Sequence, residues 1–161
     1  MNAGQGALDP AHSAADAVVV FSISRAPLRV SERIAWRLSL IVLVLSKCRG
    51  QAASAQTLHN LSWALQNSAT RALARQWWES PESADLATMR TDPRLATTIT
   101  IAAAEDLLAI APSGRVELTD RGREFGAMID SDESLMSQEK ALLRDLAPLN
   151  DRQVMLRLGG M

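Results

Sequence analysis

Cysteine is almost missing from this 161-residue chain: Cys48 stands alone. That excludes an intramolecular disulfide and any multi-cysteine zinc site, and it fits a reducing compartment. Histidine is scarce too. His12 and His59 cannot build a metal site without help from distant carboxylates, and His59 falls mid-helix between Leu58 and Leu61, where a structural histidine at the edge of the core is expected. Long hydrophobic runs are missing as well: Leu38 to Leu45 spans eight residues, Ser39 among them, flanked by Arg33, Arg37, Lys47 and Arg49. A membrane-spanning helix needs about 20. The N-terminus lacks the basic start of a secretory signal, so neither membrane nor export is expected and the expected location is the cytoplasm. No phosphate-binding glycine loop, dinucleotide fingerprint, His-Glu-x-x-His or cysteine pair occurs. Cys48, at the end of an apolar helix, has no histidine placed to activate it and reads as a buried small hydrophobe. The expectation is a non-enzyme with no cofactor and no metal.

A surplus of one charge sign is missing only in total. Seventeen Lys and Arg against eighteen Asp and Glu give a net charge of -1, which rules out nucleic-acid binding by bulk charge. Along the chain the balance is uneven. From Arg25 to Arg75 the net is +7, and from Glu79 to Asp145 it is -7. Either the halves neutralise each other across one fold, or they form two separate binding surfaces.

What is present is enough apolar material for one core: 47% hydrophobic and 22% charged residues suit one soluble domain. Residues 1–16, with Gly4, Gly6 and Pro10, read as a disordered leader, residues 17–158 as a single domain and 159–161 as a tail. Ala17 to Ser24 suits a short strand. Ser31 can cap a helix whose Ile34, Leu38, Ile41 and Leu45 form a stripe, and whose second half is apolar on every face, making it the central core helix. Arg49-Gly50 ends it and a small-residue loop leads to Ser54, the cap of a second helix carrying Leu58, Leu61 and Leu65. A third helix follows Asn67-Ser68 and stops before Pro81. Asp92-Pro93 starts a helix to about Asp106, although the β-branched run Thr97 to Ile101 also suits a strand. Leu107 to Ala111 and Arg115 to Leu118 flank Pro112-Ser113-Gly114 as a hairpin. Thr119 caps a helix through Ile129. Another opens near Ser134 with Leu135, Leu142, Leu143 and Leu146 on one side, and a last helix spans Asp151 to Leu158. The class is mainly α with a small β-hairpin: a winged helix-turn-helix with additional C-terminal helices, its wing leaving through Leu118-Thr119-Asp120-Arg121-Gly122.

The third helix carries the most suggestive surface. Arg71, Arg75 and Trp78 share one face at i, i+4 and i+7, while Leu73 and Trp77 share another. Three readings stand: a protein-binding anchor, since Trp and Arg are enriched in interface hot spots; Trp77 in the core with a solvated arginine face; or a helix that enters the DNA major groove. Arg33 and Arg37, on the first helix, join Arg71, Arg75 and Trp78 as candidate partner-binding residues.

Leu45 to Gly50 reads Leu-Ser-Lys-x-Arg-Gly and Leu58 to Ala64 reads Leu-His-x-Leu-x-Trp-Ala. With Asp92-Pro93 and the Arg115-Val-Glu-Leu-Thr-Asp-Arg-Gly wing exit, the chain from about Arg25 to Leu158 resembles the middle components of bacterial three-component ABC systems, including the Lamassu type of antiviral, anti-phage defence. The resemblance implies a non-catalytic winged-helix adaptor subunit that links an SMC-like coiled-coil ATPase to an effector nuclease. The adaptor would restrain the effector until foreign DNA is sensed, with DNA contact at most indirect or weak. The alternative is a winged-helix DNA-binding transcriptional regulator.

Overall fold

Helix α1 (Ile34–Lys47) runs through the centre of the molecule, because six consecutive apolar residues leave it no face for water. From Leu40 to Leu45 no residue is more than 3% exposed. Each such side chain stabilises the fold by about 1.5 to 3 kcal/mol relative to leaving it in water. The computed structural model describes residues 33–84 and 92–159. The expected leader, the strand at Ala17 to Ser24 and the Ser31 cap lie outside these residues; Arg33 precedes the first helical residue.

Four further elements start with caps written into the sequence. Ser54 Oγ accepts the Thr57 N–H at 3.1 Å and opens α2 (Ala55–Leu65). Asn67 and Thr70 exchange side-chain bonds to each other's backbone N–H, a capping box for α3 (Ser68–Glu79). Thr119 accepts from Gly122 N–H at the head of α5 (Asp120–Ser131), and Asn150 from Gln153 N–H at the head of α7 (Asp151–Leu158).

The ambiguous run after Pro93 is a helix, α4 (Arg94–Ala104), two residues shorter than expected. Its period decides against the β propensity of its residues. Leu95, Thr98, Ile99 and Ala102 recur at i, i+3, i+4 and i+7 and are buried. Thr98 and Thr100 donate their hydroxyls to the carbonyls of Arg94 and Ala96, four residues back, so these two hydroxyls are satisfied within the helix.

The hairpin pairs β2 (Leu108–Ile110) with β3 (Val116–Leu118). Its turn needs a left-handed residue, and Gly114 supplies it at φ 79° while its N–H bonds to Ala111 O. A strand between α1 and α2 was not expected. Ala52 and Ala53, read as part of a loop, form β1 and pair antiparallel with β3, giving the order β1-β3-β2. Two alanines carry neither β-branching nor alternation, so only the exposed edge of β3 selects them.

Gly122 explains the Leu-Thr-x-x-Gly exit from the hairpin. A Cβ there would sit 2.0 Å from Leu107 O, so only glycine lets α5 lie this close to the chain entering β2. Helix α6 (Ser137–Asp145) starts three residues later than expected, after Ser134 has turned back onto Asp132 and Met136 has taken φ 52°. Leu142, Leu143 and Leu146 are buried as expected, but Leu135 precedes the helix and is 48% exposed. Lys140, on α6, is buried and donates Nζ to the carbonyls of Ile129 and Asp132, closing the C-terminus of α5 with a cation. The described residues thus form seven α-helices and a small three-stranded antiparallel sheet, with one buried apolar cluster drawing on every helix.

Candidate functional site

The arginine face of α3 is turned toward the chain's own C-terminal helices. Arg71 pairs with Glu139 of α6 at 3.3 Å, with both side chains about seven-eighths buried, and also donates to Leu65 O. One turn on, Arg75 pairs with Asp145 at 2.8 Å in a more exposed setting. Trp78 is half-buried against the core beneath α7, where Arg157 lies over its ring at 6.0 Å and donates to its carbonyl. The candidate partner-binding face of Arg71, Arg75 and Trp78 is therefore a seam with α6 and α7, mostly buried at Arg71 and partly exposed at Arg75. Trp77 meets its expectation as a core residue: it is 2% exposed and stacks on Trp63 at 5.1 Å with the rings 8° from parallel.

The other two candidates separate. Arg37 is mostly buried, pairs with Asp92 and donates to Thr98 Oγ1, tying α1 to the start of α4. Arg33 is exposed at the head of α1. Lys47 pairs with Asp130 at 2.7 Å. Four cations of the basic first half, Arg37, Lys47, Arg71 and Arg75, thus meet four carboxylates of the acidic second half, so the two halves neutralise each other in part across one fold.

Cys48 is 5% exposed, and burial, with the Asp151 carboxylate adding to it, pushes its thiol up to about 12. A nucleophile needs the opposite shift. His59 is half-buried on α2 between Leu58 and Leu61, both fully buried. Among the described residues no three His, Cys, Asp or Glu side chains gather to hold a metal ion, and no helix is long and apolar enough to cross a membrane.

An open apolar surface lies elsewhere. The first half of α1, the end of α4 and the middle of α5 enclose a groove of about 530 Å³, floored by Leu38, Ile101 and Phe125. Ile34 and Met128 stand at its rim, 46% and 67% exposed, and Glu105, Arg121 and Glu124 supply mixed charge around it. Sequence reading missed this site. The only hint was that Phe125 and Met128 extend the apolar stripe of α5 beyond the buried Ile129.

No family model, no curated protein and no solved structure matches the chain.

Proposed function

We propose that this chain is a non-catalytic adaptor subunit of winged-helix type, the middle component of a bacterial antiviral ABC system. It links an SMC-like coiled-coil ATPase to an effector nuclease and restrains the effector until foreign DNA is sensed. The observation that carries the adaptor reading is the groove between α1, α4 and α5. Its adaptable Met128 and Ile34 surround an apolar floor, with charges of both signs at the edge, and that suits the apolar stripe of a partner's amphipathic helix. A coiled-coil protein supplies such helices wherever its own pairing leaves a stripe uncovered.

The winged-helix assignment is supported by chain order: helix, short strand, two helices, then a hairpin whose second strand pairs with the first one. One helix more than the simplest form, α4, stands directly before the hairpin. The resemblance at Leu45 to Gly50 and Leu58 to Ala64 supports the family. Those stretches form the end of α1 and the buried face of α2, consistent with a motif that specifies packing. The regulator reading loses ground because a DNA-reading α3 needs Arg71 and Arg75 free, and α6 engages both.

The test is co-expression with the products of the neighbouring genes, with Met128→Glu and Ile34→Glu beside the unaltered chain. The expected result is capture of the ATPase or the effector by the unaltered chain, at least tenfold weaker for each variant, with unchanged melting temperatures. Capture that survives both substitutions, or an unaltered chain that captures neither protein, overturns the reading. Sequence-specific duplex binding at physiological salt restores the regulator.

A further inference from the structure

Four arginines from three separated stretches of chain converge on one cleft. Arg49 comes from the turn after α1, Arg115 from the entry to β3, and Arg152 and Arg157 from α7; together they line an open depression of about 710 Å³ with Asp151 as its one carboxylate. Two of the four are engaged. Arg115 pairs with Asp151 and donates to Ala52 O at 3.0 Å, while Arg157 is held by the Trp78 carbonyl and ring. The Asp151 carboxyl is pulled upward by burial, but hydrogen bonds from Ser54 N–H and Thr57 and the Arg115 partner outweigh this and hold it below its usual range. Its charge therefore offsets one arginine at neutral pH. Arg49 and Arg152 are exposed, and among the described residues neither side chain has a hydrogen bond or an ion pair.

The contrast with the paired cations elsewhere gives this cleft its meaning. Arg37, Lys47, Arg71 and Arg75 each meet a carboxylate of their own chain, whereas here four guanidinium groups face one. Like charges gathered without compensation repel, and an anion relieves the repulsion. Guanidinium forks match phosphate oxygens in pairs.

We propose that this cleft binds the phosphodiester backbone of double-stranded nucleic acid without regard to sequence, through Arg49 and Arg152 with Arg115 and Arg157 completing the field. Three features favour a duplex backbone over a smaller or unpaired ligand. The cleft is open to solvent and, at about 710 Å³, exceeds the size of one phosphate. Its cations come from a hairpin, a turn and a helix, so they are spread over a surface. The aliphatic side chains of Ala52 and Leu156 are its apolar lining, which offers no ring on which an unpaired base could stack. The site is independent of the α1, α4 and α5 groove, and its test is separate from the adaptor test.

The experiment is fluorescence anisotropy of the full chain on a labelled random-sequence duplex of about 20 base pairs, from about 50 to 200 mM salt. The Arg49→Ala/Arg152→Ala double variant is compared with Arg94→Ala/Arg144→Ala, two exposed arginines outside the cleft. The expected result is weak binding that scrambling the sequence does not change. The cleft variant should bind at least about tenfold more weakly with a salt slope smaller by about 2, and the control should stay within about twofold of the unaltered chain. Circular dichroism should show both variants folded, since neither cleft side chain has a partner to lose. No binding at the lowest salt, or equal loss in both variants, overturns the proposal. So does a polyglutamate competitor that displaces the duplex at matched charge concentration, because the cleft then takes an acidic peptide.

Discussion

Two surfaces of this molecule invert what their composition suggests. The α3 face is rich in Arg and would be water's natural neighbour, yet α6 and α7 engage it, burying most of Arg71 and leaving Arg75 partly exposed. The α1, α4 and α5 face is apolar, yet the described residues leave it open. The difference lies in complementarity within the chain. Arg71 and Arg75, one turn apart on α3, find Glu139 and Asp145, both on α6, so two charged helices dock as a pair. Ile34 and Met128 are brought near each other only because α5 lies across α1, and no described segment completes the layer above them.

Substitutions can break or sharpen this contrast. The largest effect belongs to the closed side: Trp77→Ala removes a stacked ring from the core and should cost about 3 to 5 kcal/mol in urea unfolding. Trp78→Ala should cost about 1 to 3 kcal/mol, since its partly buried ring packs against the core beneath Arg157. Equal losses would place the seam as deep as the core; no loss at Trp78 would reopen it as a surface.

Gly122→Ala, where α5 meets the hairpin, should destabilise by about 1 to 3 kcal/mol, because its Cβ collides with a backbone oxygen that cannot yield cheaply. On the seam itself, Glu139→Gln leaves the mostly buried Arg71 unpaired and should cost about 2 kcal/mol by chemical denaturation.

Cys48 gives a pH signature. Its folded pKa of about 12 lies above the ordinary value of 9.0, so the fold favours the protonated thiol. The associated stability is complete below about pH 9 and declines as pH rises toward 12. Urea midpoints should fall between about pH 8 and 10.5, by an amount worth about 1 to 2 kcal/mol, and the fall attributable to this thiol should vanish in Cys48→Ala.

The smallest effects are the most diagnostic. Asp145→Asn breaks the exposed pair with Arg75 and should cost under about 1 kcal/mol, declining further with salt. Met128→Ser should change stability by less than about 0.5 kcal/mol, since that side chain is 67% exposed. A loss of 2 kcal/mol or more at Met128 would show the groove to be covered in solution.

Local chemistry determined most of the elements. Ser54, Asn67, Thr119 and Asn150 announce helix starts through hydroxyl and amide acceptors three residues before an orphan N–H, and Pro112-Ser113-Gly114 announces the turn. The all-round apolar run of α1 fixed the centre of the core, and Thr-x-x-Gly marked where α5 must approach the hairpin. Those signals act over three or four residues, so they are visible one stretch at a time.

What only the tertiary structure decided depends on residues far apart in sequence. The pairing of Ala52 with Glu117 made a strand from two alanines, and the 68 positions between Arg71 and Glu139 had to be bridged before an apparent binding face became a seam. The groove beside Met128 and the arginine cleft beside Asp151 arise in the same way, from helices whose own patterns are unremarkable. Side-chain periodicity says which face of a helix is apolar or charged, but which neighbour covers that face is set by how the whole chain closes on its core.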